Sequence, residues 1–248
     1  MQTVVIVPTY NERNNLPLLA SQLLEFPDLR LMVVDDRSPD DTGKVADEIA
    51  ARRPGRVSVL HRDGVRGLGR SYVDGMRAAL STDADLIVQM DADHSHDPAD
   101  VPRLISAAAH ADLVIGSRYV PGGRIVNWPL HRLILSAGAN RYIRVLTGLD
   151  VRDVTSGFRC WRRETLLRVP FAMIASDGYA FQVEMTWHAS RAGSRISEVP
   201  ITFVERRQGV SKLSGRVLLE SAILPWRLAA RRVLASSALP GTGGRGTV

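Results

Sequence analysis

Lysine is almost missing from this 248-residue chain: Lys44 and Lys212 are the only two, and arginine makes up the rest of its 32 basic residues. Codon bias is the bland account of the skew, and selection for phosphate binding the sharper one. Only arginines at particular positions can be read as phosphate ligands, through the planar fork that grips an oxyanion at two points. Cysteine is a single residue, Cys160, which excludes an internal disulfide and points to a reducing compartment. Aromatic residues are 6% and the arginines are dispersed, so the Arg-rich stripe with interleaved aromatics expected of a nucleic-acid-binding module is not there. No stretch reaches the roughly 18 uncharged apolar residues of a membrane span. The N-terminus, MQTVVIVPTYNERN, has neither a basic n-region nor a cleavage-like site, so no signal peptide is expected. A lipid substrate would therefore have to be met from the membrane surface or beside a membrane partner.

What is present suits one globular α/β core. Hydrophobic residues make up 45% and charged residues 23%, close to globular averages. The net charge of +6 calls for an anionic partner or substrate. No internal repeat is found. Short β-branched runs at Thr3–Val7, Leu31–Val34, Val57–Leu60, Leu86–Met90 and Leu113–Ile115 alternate with amphipathic segments. The helices expected between them cover about Asn14–Glu25, Thr42–Ala51, Gly69–Leu80 and Pro98–Ala109, the last opened by Asp97 as N-cap. That alternation predicts a Rossmann-like, mostly parallel central sheet flanked by helices. The second half is less regular, with helices expected at about Leu130–Leu146 and Tyr179–Arg191, a polar turn at Asp153–Gly157, and a strand near Arg195–Val204.

Ligands of such sheets bind beyond the carboxyl ends of the strands, and the polar clusters of this chain fall there. Pro8 to Glu12 follow the first strand, Asp35 and Asp36 the second, Asp91-Ala92-Asp93 the fourth, and Gly116-Ser117-Arg118 the fifth. Two carboxylates one residue apart can hold a hard divalent cation against substrate phosphates, with Ser95 as a further oxygen donor. Alone, such a pair also reads as solvated loop aspartates; the convergence of Glu12 and Asp36 on the same edge favours the metal. His94 and His96 read as loop residues, since a cation bridging a diphosphate takes oxygen. Asp35 and Asp36 suit a ribose or base edge, or else a helix N-terminal cluster. Gly67-Leu68-Gly69 permits close approach of backbone to a phosphate, but equally marks a tight turn.

In order along the chain, IVPTYNE (6–12), VVDDRSPD (33–40), GLG (67–69), MDADHSHDP (90–98), GSRY (116–119), SAGAN (136–140), DVTSGFR (153–159) and EVPITFVERRQGVSKL (198–213) resemble the family 2 inverting glycosyltransferases of the GT-A fold. The last three are most similar to the dolichol- and polyprenol-phosphate mannose synthases. The resemblance implies a metal-dependent transfer of mannose from GDP-mannose to a polyprenyl phosphate, or, as the alternative, of another hexose from a UDP-sugar. It implies nucleotide-sugar contacts from Pro8, Tyr10, Glu12, Val34, Asp36, Asp91, Ala92, Asp93, Gln182 and Glu184. Mg2+ or Mn2+ would be held by Asp91, Asp93 and Ser95. The acceptor phosphate would be held by Arg118, Arg132, Ser136 and Arg206, with Lys212 as a further point charge. Asp91, Asp93, Arg118 and Arg206 would carry the catalysis. A monophosphate of nearly two negative charges suits an arginine cluster that leaves one oxygen free to attack.

The expected organisation is a catalytic domain over 1–213, an amphipathic helical segment over 214–235 kinked at Pro225, and a flexible Gly-rich tail over 236–248. Trp226 among Arg216, Arg227, Arg231 and Arg232 suits an interfacial helix, or else one packed on the domain or on a partner. The location implied is cytoplasmic and peripheral, on the membrane surface or against a separate membrane-embedded partner, with no nucleic acid involved.

Overall fold

In a computed structural model, residues 1–174, 176, 178–205 and 222–231 are described. Arg206 and Lys212, the boundary expected at 213/214 and the expected tail over 236–248 lie outside the described residues.

Along the chain run β1 (Thr3–Thr9), α1 (Leu16–Leu24), β2 (Leu29–Asp35), α2 (Thr42–Arg52), β3 (Val57–His61), α3 (Leu68–Leu80) and β4 (Leu86–Gln89). A 3-10 turn, Pro98–Asp100, then leads into α4 (Val101–Ala107), β5 (Leu113–Ser117), β6 (Arg124–Val126) and α5 (Leu130–Thr147). The order closes with β7 (Arg159–Arg162), α6 (Arg163–Leu167), the 3-10 turn Phe171–Met173, α7 (Gly178–Arg191), β8 (Ile196–Pro200) and β9 (Thr202–Val204). Residues 222–231 are also helical.

Seven strands form one sheet in the order β3-β2-β1-β4-β7-β5-β8. All neighbours are parallel except β7, which runs antiparallel to both β4 and β5. β1 and β4 diverge in connection, one leading toward β2 and the other toward β7, and this reversal of strand order opens a crevice at their carboxyl ends.

Alternation along the strands divides the core. Val4 and Ile6 join a cluster with Tyr72, Val73 and Met76 of α3 and Phe181, Val183 and Met185 of α7. Val5 and Val7 point the other way, onto Leu16, Leu19 and Leu23 of α1 and Val101 and Leu104 of α4. Each face is covered, so the central strands read as unbroken β-branched runs. α3 lies so near the sheet that a Cβ on Gly75 would stand 2.7 Å from Ile6 Cγ2 and 2.9 Å from Val34 Cγ2. The Asp97 carboxylate accepts the Ala99 amide at 2.9 Å and caps the turn before α4, as the Asp-Pro pair predicts.

The short elements β6 and α6 were not expected, and two further departures concern the strands. The single strand expected over Arg195–Val204 is broken at Ile201: β8 pairs with β5, whereas β9 pairs in parallel with β6 in a separate two-stranded ribbon. β7 was not expected at all. Its sequence, RCWR, offers no apolar run, because a fully buried arginine opens it.

Candidate active site

β4 ends at Gln89, and the next turn carries the two aspartates. The Tyr72 hydroxyl donates to Asp91 Oδ1 at 2.8 Å, while the Asp91 amide donates to His96 Nδ1 at 3.4 Å. The Ser95 amide donates to Asp93 Oδ1 at 3.1 Å. His94 adopts a left-handed backbone, φ 58°, and its ring reaches the Asn15 carbonyl at 3.2 Å, away from the carboxylates. His96 is buried, stacked on Phe158 at 5.0 Å and edge-on to Phe203 at 5.6 Å. Burial lowers its pKa, so the ring is a neutral brace against the Asp91 backbone. Burial, reinforced by the Asp91 charge, raises the Tyr72 pKa well above 10, and the phenol remains a donor.

A small polar cavity of about 40 Å³ opens here, lined by Asp91, Asp93, Ser95, Arg118, Arg132 and Glu205 among others. Two carboxylates and a hydroxyl form a hard oxygen donor set. Among the described residues no group of three or more His, Cys, Asp or Glu could hold a metal ion alone. The fit is to Mg2+ or Mn2+ bound by one or two carboxylates and completed by phosphate oxygens and water.

The cavity continues into a second of about 300 Å³, with Arg118, Trp128, Arg132, Thr155 and Tyr179 lining both. The larger one is apolar along Leu135, Ala139, Ile143, Val183, Leu224 and Pro225. At the junction Trp128 stacks against both guanidiniums, with Arg132 4.2 Å and Arg118 5.6 Å from its ring centre. Arg132 also pairs with Glu205. Ser136 accepts the Tyr119 hydroxyl at 2.8 Å. Asn140, at the other end of the SAGAN segment, donates to Thr155 Oγ1 at 3.2 Å and ties α5 to the polar turn.

Arg118 is differently engaged from an open fork. Its Nε and Nη2 donate to the two oxygens of Asp153 at 2.7 and 2.6 Å, and Nη2 also reaches Thr155 Oγ1 at 2.8 Å. Burial works against its charge, but Asp153 outweighs that and raises its pKa. The face it offers a ligand is its remaining edge, surrounded by the Tyr119, Trp128 and Phe203 rings.

The polar turn is itself held from beneath by Arg159. That side chain is fully buried and donates to the carbonyls of Val154, Ser156 and Gln182 and to Thr186 Oγ1, all within 2.9 Å. Burial lowers its pKa to about 9, still well above neutrality, so it stays charged. Glu198 on β8 accepts the amides of Arg152 and Asp153 at 2.8 and 3.0 Å.

On the far side of the same sheet edge, Pro8 and Val34 are paired in register on β1 and β2. Tyr10 lies beneath Arg66, whose Nη1 donates to its hydroxyl at 2.5 Å. The Glu12 carboxylate accepts Asn15 Nδ2 at 2.7 Å. Asp36 pairs with the buried Arg62 and accepts the Gly67 amide at 2.9 Å, which anchors the loop before α3. Asp35 instead accepts Thr9 and Ser38 hydroxyls inside the strand-end turn. Ala92 is buried between the aspartates. Gln182 and Glu184 are buried on α7: Gln182 Nε2 lies 3.6 Å from where a Cβ on Gly157 would stand, and Glu184 accepts the Ser176 amide at 3.1 Å. The structure thus brings Asp91, Asp93, Ser95, Arg118 and Arg132 to one cavity and Ser136 to the groove beside it. Pro8, Tyr10, Glu12, Val34 and Asp36 share the sheet edge but line neither.

The model of glycosyl transferase family 2 matches residues 4–169. The chain belongs to that family. This glycosyltransferase is 49% identical over 222 residues to the polyprenol monophosphomannose synthase of Mycolicibacterium smegmatis, covering 89% of this chain and 84% of that one. It is 48% identical over 234 residues to the undecaprenyl-phosphate mannosyltransferase of Micrococcus luteus, covering 93% and 96%. In fold it is similar to the glucosyl-3-phosphoglycerate synthase of Mycobacterium tuberculosis, whose crystal structure holds Mn2+, UDP and phosphoglyceric acid. The TM-score is 0.65 at 21% identity, over 98% of this chain and 80% of that one. In this family 2 enzyme, Tyr72 and Trp128 are site residues that sequence reasoning did not single out. Arg159 and Glu198 stood inside quoted motifs without a role. Tyr72 and Glu198 act through partners distant in sequence, and Trp128 and Arg159 through stacking and burial that no spacing records.

Proposed function

We propose that this glycosyltransferase moves mannose from GDP-mannose to a polyprenyl phosphate, with inversion at the anomeric carbon, at the cytoplasmic face of a membrane. The observation that carries the reading is the continuity of the two cavities: a small acidic and arginine-lined chamber opens into an apolar groove of about 300 Å³. A ligand with an anionic head and a hydrocarbon tail fits that sequence of environments. The names of the relatives support the same acceptor and sugar.

Asp91 and Asp93, with Ser95, would hold Mg2+ or Mn2+, which when bound neutralises the diphosphate leaving group. Arg132 and the open edge of Arg118 orient the acceptor phosphate, and Ser136 lies where the groove begins. Arg206 and Lys212 would add charge from outside the described residues. Pro8, Tyr10, Glu12, Val34 and Asp36 hold the nucleoside; Gln182 and Glu184 face the sugar from α7. The attacking phosphate oxygen is already anionic, so orientation, not proton removal, is the enzyme's task.

α5 supports membrane attachment. Of its residues only Asn140, Ile143 and Thr147 are buried, while Leu130, Leu135 and Val145 are 71%, 67% and 73% exposed. Beside it, Ile223 and Trp226 are exposed on the helical segment 222–231, which the Tyr142 hydroxyl joins at the Ala222 carbonyl, 2.8 Å. Among the described residues no helix is long and apolar enough to cross a membrane. The same helices also expose His131, Arg141 and Arg227, and a mixed apolar and basic surface suits an anionic lipid surface met from one side.

The test is incubation with labelled GDP-mannose or UDP-glucose, a polyprenyl phosphate and Mn2+, followed by extraction of the lipid. Label from GDP-mannose is expected in the lipid fraction. Label from UDP-glucose alone would replace the donor assignment, and label in neither would overturn the reading.

A further inference from the structure

Tyr72 belongs to none of the motifs, yet its hydroxyl is bonded to the first aspartate of the metal-binding turn. The ring is wholly buried and stacks parallel on Phe181 of α7, centroids 6.0 Å apart. One turn earlier α3 and α7 nearly touch: a Cβ on Gly69 would stand 2.9 Å from the Ser176 carbonyl and 3.0 Å from Phe181. α3 therefore delivers the phenol to the carboxylate, and Phe181 only covers its ring.

That bond makes the two oxygens of Asp91 unequal. Oδ1 is taken by a neutral donor. Oδ2 accepts no hydrogen bond from any described residue and lies 3.4 Å from where a Cβ on Gly157 would stand, at the wall of the polar cavity. Rotation of the carboxylate would break the phenol bond and leave a buried hydroxyl without a partner, which is strongly disfavoured. The backbone of the same residue is held by His96 from the opposite side. α3 opens directly after the loop that Asp36 anchors, so the same helix borders both the nucleoside side and the cation side.

Resting on the reading of Asp91 and Asp93 as ligands of a diphosphate-bound cation, we propose that Tyr72 is a positioning residue for the transfer, holding Asp91 so that Oδ2 is presented to that cation. Partners behind a ligand are typically worth about 10- to 100-fold in metal affinity or activity.

The experiment compares the full-length wild type, Tyr72→Phe, Phe181→Leu and Asp93→Asn, with saturating GDP, following free Mn2+ by its EPR signal. Tyr72→Phe keeps the ring and removes only the hydroxyl. It is expected to weaken Mn2+ binding by about tenfold or more, to lower kcat by a similar factor, and to leave the KM for polyprenyl phosphate unchanged. Phe181→Leu disturbs the same stack without touching the hydroxyl, and is expected to lower the melting temperature while leaving Mn2+ affinity as in the wild type. Mn2+ binding by Tyr72→Phe equal to the wild type, with Asp93→Asn defective, overturns the inference alone. So does an equal loss of Mn2+ affinity in Phe181→Leu, which would reduce Tyr72 to packing. Undiminished Mn2+ binding by Asp93→Asn overturns the metal reading and the inference with it.

Discussion

Arg118 commits two of its three guanidinium nitrogens to Asp153, and both side chains are at most 5% exposed. The pair is a structural unit as well as the proposed ligand edge, and a truncation would act on both. Removing one member of a buried pair leaves an uncompensated charge, at a cost of about 3–5 kcal/mol. Arg118→Ala is therefore expected to lose that much stability in urea denaturation along with acceptor use. Arg118→Met combined with Asp153→Leu is expected to recover much of the stability and none of the activity, which separates the two roles. Arg132, stacked on Trp128 and paired with the partly exposed Glu205, is the freer of the two cations. Arg118 was legible from the GSRY motif, and Arg132 only from what the resemblance implies. Their engagement was not, because Asp153 is 35 residues from Arg118 and nothing in the local pattern links them.

At the scale of elements, α3 connects most of the site. Its first turn follows the loop anchored by Asp36, its second presents Tyr72, and Gly75 lets it press onto β1 and β2. Gly75→Ala would place a methyl within 3 Å of two β-branched side chains that are themselves fully packed. Overpacking of this kind costs about 1–3 kcal/mol, outweighing the better helix propensity of alanine, about 1 kcal/mol. The expected result is a lower melting temperature, with turnover impaired through α3. Strands β1, β2, β4 and β5 were readable as apolar runs because both of their faces are covered. β7 was not, since Arg159 is buried there only through four hydrogen bonds to the turn and to α7. The division of Arg195–Val204 into β8 and β9 likewise depends on partners, β5 and β6, that are distant in sequence.

For the whole molecule, the groove opens beside the exposed faces of α5 and residues 222–231, so the proposed membrane docking and acceptor entry would share one side. Each large apolar side chain withdrawn into lipid contributes about 1.5–3 kcal/mol. Ile134→Glu with Val145→Glu, both exposed on α5 and outside the lining of the groove, is therefore expected to reduce sedimentation with anionic liposomes by at least about tenfold, 1.4 kcal/mol being a factor of ten. Turnover of a short-chain, water-soluble polyprenyl phosphate by the same variant should fall much less. The pH dependence belongs to this scale too, since with the proposed acceptor it would reflect the phosphate and not a single side chain. A phosphate monoester loses its second proton near pH 6, about where turnover is expected to rise. Asp153→Asn and Glu184→Gln are expected to slow turnover without moving that limb. A carboxylate variant that abolished turnover with substrates still bound, and recovered with a small exogenous base, would mean that a general base operates after all.

The sequence by itself determined the sheet's central strands, the clustering of polar residues at their carboxyl ends, the family and the paired aspartates. Those features follow from local rules: alternation, strand length, and short motifs whose backbone and side chains act together within a few residues. Tertiary structure alone decided that Arg118 is locked to Asp153 and that Tyr72 holds Asp91. It also decided that Arg159 supports the turn beneath the cavity, and that α5 exposes an apolar face where the groove begins. Each of these depends on burial and on a partner across the sheet or on another helix. A single chain pattern records what a residue is, but its hydrogen-bond partner and its dielectric surroundings come into existence only when the elements pack.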